Sequence, residues 1–222
     1  MNSKEIIKEL KKNASAEDRE GMARFGINPE YALGVKIPVL RKLAKKIGTD
    51  HKLASELWAT RIHEARILAS MIEDPYNMPE KQIDSWINDF NSWDLCDQCC
   101  MNLFHKTRFA FQKAEKLAEN NKEFTRRAGF STIACLAWHS KASDKDFIKL
   151  FPLIKKHSID DRNFVKKAVN WALRQIGKRN KVLNKKAIEL AREIQDIDSS
   201  SAKWISSNAL RELESKKVQK RL

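Results

Sequence analysis

The sequence is poor in the residues that interrupt helices. Its 222 residues include only 6 glycines and 5 prolines, and stretches in which β-branched residues alternate with polar ones are few. Because tight turns and sheet-rich folds draw on glycine and proline, this scarcity indicates an all-helical protein with short connections. The chain also lacks a linker or a break in composition, which predicts a single domain over residues 1–222.

Several functional classes are excluded by missing motifs. Met1–Lys12 has no signal-peptide core, and no stretch approaches the length of a membrane span, so we expect a cytoplasmic protein without membrane contact. A glycine-rich phosphate loop and a nucleophile elbow are both absent, which argues against nucleotide-dependent and serine-hydrolase mechanisms. We therefore expect no nucleotide and no other cofactor.

The 4 cysteines do not form a disulfide framework, since Cys96, Cys99 and Cys100 crowd together and Cys135 stands apart. We expect reduced thiols. The spacing of Cys96 and Cys99 is that of half a zinc site, and Cys135 with His139 adds weak support. Because no second pair completes such a site, packing in the core explains these cysteines better, and no metal is expected.

Basic residues far outnumber acidic ones. The formal net charge is +14 and the sequence pI is about 9.7, which favours a polyanionic partner such as nucleic acid, with a membrane surface as the competing polyanion. Between Lys155 and Lys186 there are 11 Lys or Arg residues against Asp160 and Asp161, a local net charge of +9. Such density suits phosphate neutralisation.

Hydrophobic periodicity predicts about a dozen helices of ordinary length joined by short polar turns. Helices of similar length in succession indicate stacked antiparallel pairs, an α-solenoid. Residues 216–222 are mostly basic and are expected to fray. The predicted helices that bear on function are Trp93–Phe104, Glu123–Leu136, Asp144–Lys156, Asp161–Lys178 and Ser199–Glu214.

The helix predicted over 161–178 has an unusual polar face. Its apolar stripe consists of Val165, Val169, Ala172 and Ile176, whereas a second row along the helix consists of Lys167, Trp171, Arg174 and Lys178. A large aromatic side chain among cations suits a polyanion-binding surface that also touches something flat. The alternative is that Trp171 packs under a neighbouring helix and the cations are solvated.

Trp93 and Asp97 lie four residues apart, so they share one face of their predicted helix at the edge of its apolar stripe. A carboxylate there should repel DNA phosphates, and a positive charge developing in a substrate would give it a purpose. The alternative is a structural hydrogen bond or a pair with an arginine. Likewise, Arg126 and Arg127 near a helix N-terminus suit phosphate binding, or a buried carboxylate that joins helices.

Five segments together resemble the AlkD family of bacterial DNA alkylation-repair proteins. The set covers most of the chain and has the family's order. In chain order the segments are Gly34–Arg41 (GVKIPVLR), His63–Arg66 (HEAR), Trp93–Asp97 (WDLCD), Arg126–Ala128 (RRA) and Asn170–Arg174 (NWALR). The resemblance implies a C-shaped superhelix of HEAT-like helix pairs whose concave face binds double-stranded DNA.

The resemblance also implies an activity, a monofunctional DNA glycosylase that removes N3- and N7-alkylated purines without flipping the base. It assigns Trp93, Asp97 and Trp171 to the catalytic cleft and Arg127 to a phosphate contact there. An alkylpurine already carries a positive charge, so it leaves as a neutral base and needs no general acid. The residues expected to bind DNA are Arg126, Arg127, Lys166, Lys167, Arg174, Lys178 and Arg179.

Two other functions remain open at this stage. A non-catalytic protein that binds damaged or branched DNA would explain the charge and the tryptophans, but it would leave Asp97 without a purpose. A protein scaffold made of helical repeats would explain the fold alone. Because stacked repeats need no partner to bury their faces, we expect a monomer, associated with the nucleoid when bound to DNA.

Overall fold

The computed structural model describes residues Met1–Leu222, and every regular element in it is a helix. The chain forms two compact units, an N-terminal unit, Met1–Phe109, and a C-terminal unit, Ala110–Leu222. The helices of the N-terminal unit are α1 (Ser3–Lys12), α2 (Ala16–Arg24), α3 (Ile37–Ile47), α4 (His51–Ala59), α5 (His63–Ile72), α6 (Glu80–Asn88) and α7 (Trp93–Asn102), followed by a 3₁₀ turn at Phe104–Lys106.

The C-terminal unit continues the series with helices of more varied length. They are α8 (Ala110–Ala118), α9 (Glu123–His139), α10 (Asp144–Ile148), α11 (Phe151–His157), α12 (Asn163–Gly177), α13 (Lys181–Gln195), α14 (Ser200–Leu213) and α15 (Lys216–Gln219). None of the helices combines the length and the hydrophobicity that crossing a bilayer requires.

Helix α5 is the centre of the N-terminal unit, where it packs against α1, α3, α4 and α7. It is buried along most of its length, and Trp58 of α4 stacks on Trp86 of α6 with ring centroids 4.0 Å apart. Helix α2 differs, because it buries no residue although Ser15 caps it by accepting a hydrogen bond from the Asp18 amide. Serine is a favourable residue at this position, because its hydroxyl accepts a hydrogen bond from an amide that has no partner within the helix.

Helices α9 and α12 are the centre of the C-terminal unit. Helix α9 packs against α8 and α12, and α12 also packs against α13 and α14. The approach of α9 to α8 is close at Gly129, where an added methyl group would lie 2.3 Å from the Ala118 amide nitrogen. Only glycine fits there, because the obstacle is backbone and not a movable side chain.

Within each unit, side-chain hydrogen bonds join residues that are separated by nearly constant intervals. His63 bonds to Asp94 across 31 residues, Arg126 to Asp160 across 34, and Arg174 to Glu212 across 38. A regular interval of this size is typical of stacked helical repeats, in which equivalent helices of successive repeats are neighbours. The predicted all-α repeat architecture is confirmed.

Several predicted boundaries differ from the structure, three of them by more than two residues. The helix predicted over 144–156 is divided into α10 and α11, because Pro152 has no N–H to donate to Ile148 and its ring clashes with the preceding turn. Helix α9 continues past Leu136 to His139. The tail expected to fray over 216–222 instead forms α15, capped by Ser215 and anchored by the buried Val218.

Candidate functional site

Helix α7 places Trp93 and Asp97 on one face. Leu95, Cys96, Cys99 and Cys100 of the same helix are buried at 0–1% exposure, while Trp93 and Asp97 stay partly exposed at the edge of this apolar stripe. The indole Nε1 of Trp93 donates a hydrogen bond to the carbonyl oxygen of Phe25 at 2.9 Å. This hydrogen bond holds one edge of the indole ring and so restricts how the ring is oriented within the N-terminal unit.

A second carboxylate on α7, Asp94, has a structural role. Its oxygens lie 2.8 Å from Nε2 of the buried His63 and 2.7 Å from the Ser92 hydroxyl, which donates to it. Burial raises the pKa of Asp94, but the bonds to His63 and Ser92 outweigh it, and the pKa is lowered. Burial likewise opposes protonation of His63, but Asp94 prevails and raises the pKa of His63. Ser92, the N-cap residue of α7, thus donates its hydroxyl to Asp94 and makes no side-chain hydrogen bond that caps the helix backbone.

The segment His63–Arg66, one of the five that carry the family resemblance, also belongs to the interior. The carboxylate of Glu64 accepts hydrogen bonds from the backbone amides of Leu33, Gly34 and Val35 at 2.7–3.2 Å. The Arg66 guanidinium lies 5.0 Å from the centroid of the Trp58 ring, and it donates to the Asp89 carboxylate at 2.9 Å. These residues hold the loop after α2 and the α4–α5 corner in place.

A cavity of about 460 Å³ lies beside the His63–Asp94 pair in the N-terminal unit. Its apolar wall includes Met22, Ile67 and Phe25, of which Phe25 is 70% exposed. Helix α2, which contributes Met22 to this wall, buries none of its side chains. Phe25 thus connects the cavity with Trp93, which binds its carbonyl oxygen.

Helix α12 buries the stripe that the sequence predicts, with Val165, Val169, Ala172 and Ile176 all at 0% exposure. Trp171 is half-buried and packs at the edge of the C-terminal core. Trp171 thus combines features of both alternatives, because one part of its ring packs against the core and another part is accessible to a ligand.

The cations expected to bind DNA differ in their surroundings. Lys167 is exposed, and the ammonium of Lys166 lies 5.4 Å from the centroid of the Trp204 ring. Arg174 and Lys178 both bind the carboxylate of Glu212, Lys178 at 2.6 Å. Burial tends to raise the pKa of Glu212, but the two cations lower it, so its negative charge is retained beside them.

The arginine pair of α9 is held inside the C-terminal unit. Arg126 binds Asp160 at 2.6 Å. Burial tends to raise the pKa of Asp160, but the hydrogen bonds from Arg162 and Arg126 outweigh it and lower this pKa to about 2. Arg127 is 5% exposed and donates a hydrogen bond to the Phe164 carbonyl oxygen. For Arg126 the structure therefore has the interhelical carboxylate that the sequence left as its alternative.

Arg179 also has a structural environment. Its guanidinium donates to the carbonyl oxygens of Ala137, Ser140 and Ala142 at 2.6–3.3 Å, and it lies 4.3 Å from the centroid of the Phe147 ring. It thus satisfies the carbonyls at the C-terminal end of α9, which would otherwise lack donors.

The four cysteines are free thiols buried at 0% exposure, and burial raises the pKa of the Cys99 thiol well above its usual value. They act as small apolar residues of the two cores. The structure has no group of three or more His, Cys, Asp or Glu side chains placed to hold a metal ion.

The sequence pattern misses two features near these residues. It does not reveal that His63 holds Asp94, because the two lie in different helices, 31 residues apart. It also ends α9 before Trp138, a side chain that is 60% exposed. Residues 137–139 contain no helix-breaking glycine or proline, and this absence is the only signal that could have extended the helix.

Comparisons with known proteins agree with this architecture. One solved structure belongs to a family related to the HEAT-like repeat DNA glycosylases, with affinity for branched DNA structures. It matches with a TM-score of 0.81 over 95% of each chain at 24% identity, which establishes a HEAT-like repeat fold. A designed armadillo repeat protein in complex with a (KR)4 peptide matches with a TM-score of only 0.38 at 16% identity.

No curated protein sequence matches the chain significantly. The family model described as DNA alkylation repair enzyme matches residues 6–213, nearly the whole chain. The match spans both units and includes every residue that the sequence singles out for function. The chain therefore belongs to the DNA alkylation repair enzyme family.

Proposed function

We propose that this protein is a DNA repair glycosylase that hydrolyses the N-glycosidic bond of N3- and N7-alkylated purines in duplex DNA, without base flipping. The observation that carries the proposal is that Trp93 and Asp97 lie on one partly exposed face of α7. The other carboxylate of this helix, Asp94, binds His63 and Ser92. Membership in the DNA alkylation repair enzyme family supports the choice of substrate.

The chemistry suits a carboxylate next to an aromatic ring. An alkylated purine leaves as a neutral base, so the barrier lies in forming a sugar with oxocarbenium character. Asp97 stabilises that charge and orients or deprotonates the attacking water. Trp93, whose indole N–H is bound by the Phe25 carbonyl, offers its π-face to the same positive charge.

The C-terminal unit is proposed to bind the DNA. Trp171 offers the accessible part of its ring, and Arg127 neutralises a phosphate from a nearly buried position. Lys166 and Lys167 contact the backbone directly. Arg174 and Lys178 contribute less per residue, because Glu212 neutralises one of their two charges. The protein acts as a monomer and needs no cofactor.

A second function is favoured by a specific observation. The solved structure with a TM-score of 0.81 belongs to a family with affinity for branched DNA structures. A protein with this fold that binds damaged or branched DNA without catalysis would use the same cations. In that case the protein would release no base and Asp97 would have no catalytic role. Only a measurement of base release distinguishes the two functions, because both predict DNA binding.

The test is release of 7-methylguanine and 3-methyladenine from methylated duplex DNA by the wild type and by Asp97→Asn, with DNA binding measured in parallel. We expect release by the wild type and loss of release in the variant, while binding persists or tightens because a negative charge is removed. Release by neither protein, with binding intact, would favour the non-catalytic function. Equal release by both would remove Asp97 from the mechanism.

A further inference from the structure

The C-terminal unit contains a cavity that differs from the others in its lining. It measures about 380 Å³ and is formed by α9, α12 and the residues after α15. Three cations and one large exposed aromatic ring border it. We call it the Trp138 cavity. Its lining residues are Ala137, Trp138, Gln175, Lys178, Arg179 and Arg221.

Trp138 is placed where a core residue would not be. Its side chain is 60% exposed, and its ring stacks on that of His139 with centroids 5.0 Å apart and an interplanar angle of 17°. Exposing an indole forgoes a large gain from burial. Trp138 lines the cavity and stacks on His139 beside it, so the two rings form a flat aromatic platform at the cavity.

The platform is held in a fixed position. Arg179 donates hydrogen bonds to the carbonyls of Ala137, Ser140 and Ala142, on both sides of Trp138 and His139. This arrangement fixes the C-terminal end of α9 against α12. A ligand that stacks on the two rings would thus lose little free energy to the ordering of the protein.

The cavity carries positive charge as well. Lys178, Arg179 and Arg221 contribute three positive charges, and Glu212, bound to Lys178, removes one, which leaves two. Arg221 is exposed. A cationic cavity with an aromatic platform offers both interactions that proteins use on unpaired nucleotides, phosphate neutralisation and base stacking.

The position along the helices connects this cavity with the proposed DNA-binding face of the same unit. Trp138 follows Arg127 by about three helical turns, and Lys178 follows Trp171 by about two turns, so each pair shares one side of its helix. DNA that contacts Arg127 and Trp171 would therefore continue along α9 and α12 towards Trp138 and Lys178.

We propose that the Trp138 cavity binds an unpaired nucleotide of DNA. Its base stacks on the Trp138–His139 rings, its phosphate is neutralised by Lys178 and Arg221, and the Gln175 amide lies within the lining to meet the edge of the base. In duplex DNA both faces of each base are already stacked, so this contact is specific for unpaired strands. The inference concerns binding and does not depend on base release.

The test compares the affinities for a fluorescein-labelled single-stranded oligodeoxythymidine and for a blunt duplex of the same length. Trp138→Ala is expected to weaken binding of the single strand about tenfold, since stacking on one aromatic residue is worth that much. Duplex binding should change less than twofold, and Trp138→Phe should retain most of the single-strand affinity because it keeps a ring.

Trp204→Ala is the matched control, because Trp204 is another partly exposed tryptophan of the C-terminal unit, beside Lys166 and outside the cavity. Because Trp204 contacts Lys166, a proposed backbone contact, any loss of affinity that it causes should be equal for the single strand and the duplex. The proposal is overturned if Trp138→Ala keeps wild-type affinity for the single strand. It is also overturned if both DNA forms weaken equally, or if Trp204→Ala causes the same selective loss. Thermal unfolding of each variant establishes that the fold is intact.

Discussion

The two units differ in the surroundings of the charged residues that the sequence singles out. On α7 of the N-terminal unit, one of two carboxylates is bound inside by His63, and the other, Asp97, lies on the partly exposed face of Trp93. In the C-terminal unit most of the singled-out cations have protein partners. Arg126 binds Asp160, Arg174 and Lys178 share Glu212, and Arg179 binds backbone carbonyls.

This difference shows that a charge pattern along one helix overestimates the charge available to DNA. The row of cations on α12 is real, but Glu212 on α14 neutralises part of it. On α7, a partner from another helix, His63, gives Asp94 a structural role that its position along the helix does not reveal. In both units the partner that determines the role of the charged residue lies more than 30 positions away in the sequence.

The largest expected effect concerns Asp94. Asp94→Asn should lower the free energy of unfolding by about 2–3 kcal/mol, because it removes a charged partner of the buried His63. Urea denaturation of the wild type and the variant measures it. Asp97→Asn is the matched control on the same helix and should change the free energy of unfolding far less.

The same pair predicts how stability depends on pH. The pKa of His63 is raised above 6.5, so its contribution is complete below pH 6.5 and is lost as the pH rises through the raised value. The pKa of Asp94 is lowered, so its contribution is present above pH 3.8 and is lost as the pH falls through the lowered value. The deficit of Asp94→Asn should therefore be greatest between these limits and shrink above pH 6.5. A deficit that grows from pH 6 to pH 9 would contradict this assignment.

Substituting one glycine in each unit by alanine compares how tightly the two units are packed at these positions. Gly129→Ala should destabilise the protein by about 2–3 kcal/mol, because the added methyl group meets the backbone of α8. Gly21→Ala on α2 has no atom within 4 Å of the new methyl group. It should stabilise the protein by up to about 1 kcal/mol through helix propensity. Thermal unfolding of the two variants measures this, and equal effects would contradict the difference in packing.

A smaller effect is expected from Glu212. Glu212→Gln releases Arg174 and Lys178, so duplex DNA should bind several-fold more tightly, and the plot of log K against log[salt] should steepen by about one unit. Glu214→Gln, which removes a carboxylate paired with the exposed Arg192, is the control. If both variants bind DNA equally well, Glu212 has no particular influence on the cations of α12.

The sequence predicts the features that depend on neighbours along the chain. The buried stripe of α12 and the position of Trp93 opposite Leu95 and Cys99 follow from periodicity alone. What could not be predicted depends on contacts between repeats. Asp160 is 34 residues from Arg126, and Gly129 meets a helix that precedes it, so no local pattern encodes either contact.

The family resemblance adds roles that periodicity cannot supply. It points to Asp97 and Trp171, and the family match over residues 6–213 supports the resemblance itself. The roles of the individual residues stay predictions. Arg127 illustrates why, because a side chain at 5% exposure that binds the Phe164 carbonyl also joins α9 to α12. Its phosphate contact has to be separated from its structural contribution.

The central claim is that the two carboxylates of α7 have different purposes, one for catalysis and one for folding. The most direct test is the single-turnover rate of 7-methylguanine release by the wild type, Asp97→Asn and Asp94→Asn under conditions where all three are folded. We predict that Asp97→Asn slows release at least about 100-fold with little loss of stability, whereas Asp94→Asn retains release within a few-fold. A wild-type rate for Asp97→Asn, or an equal loss of rate in folded Asp94→Asn, would contradict the account.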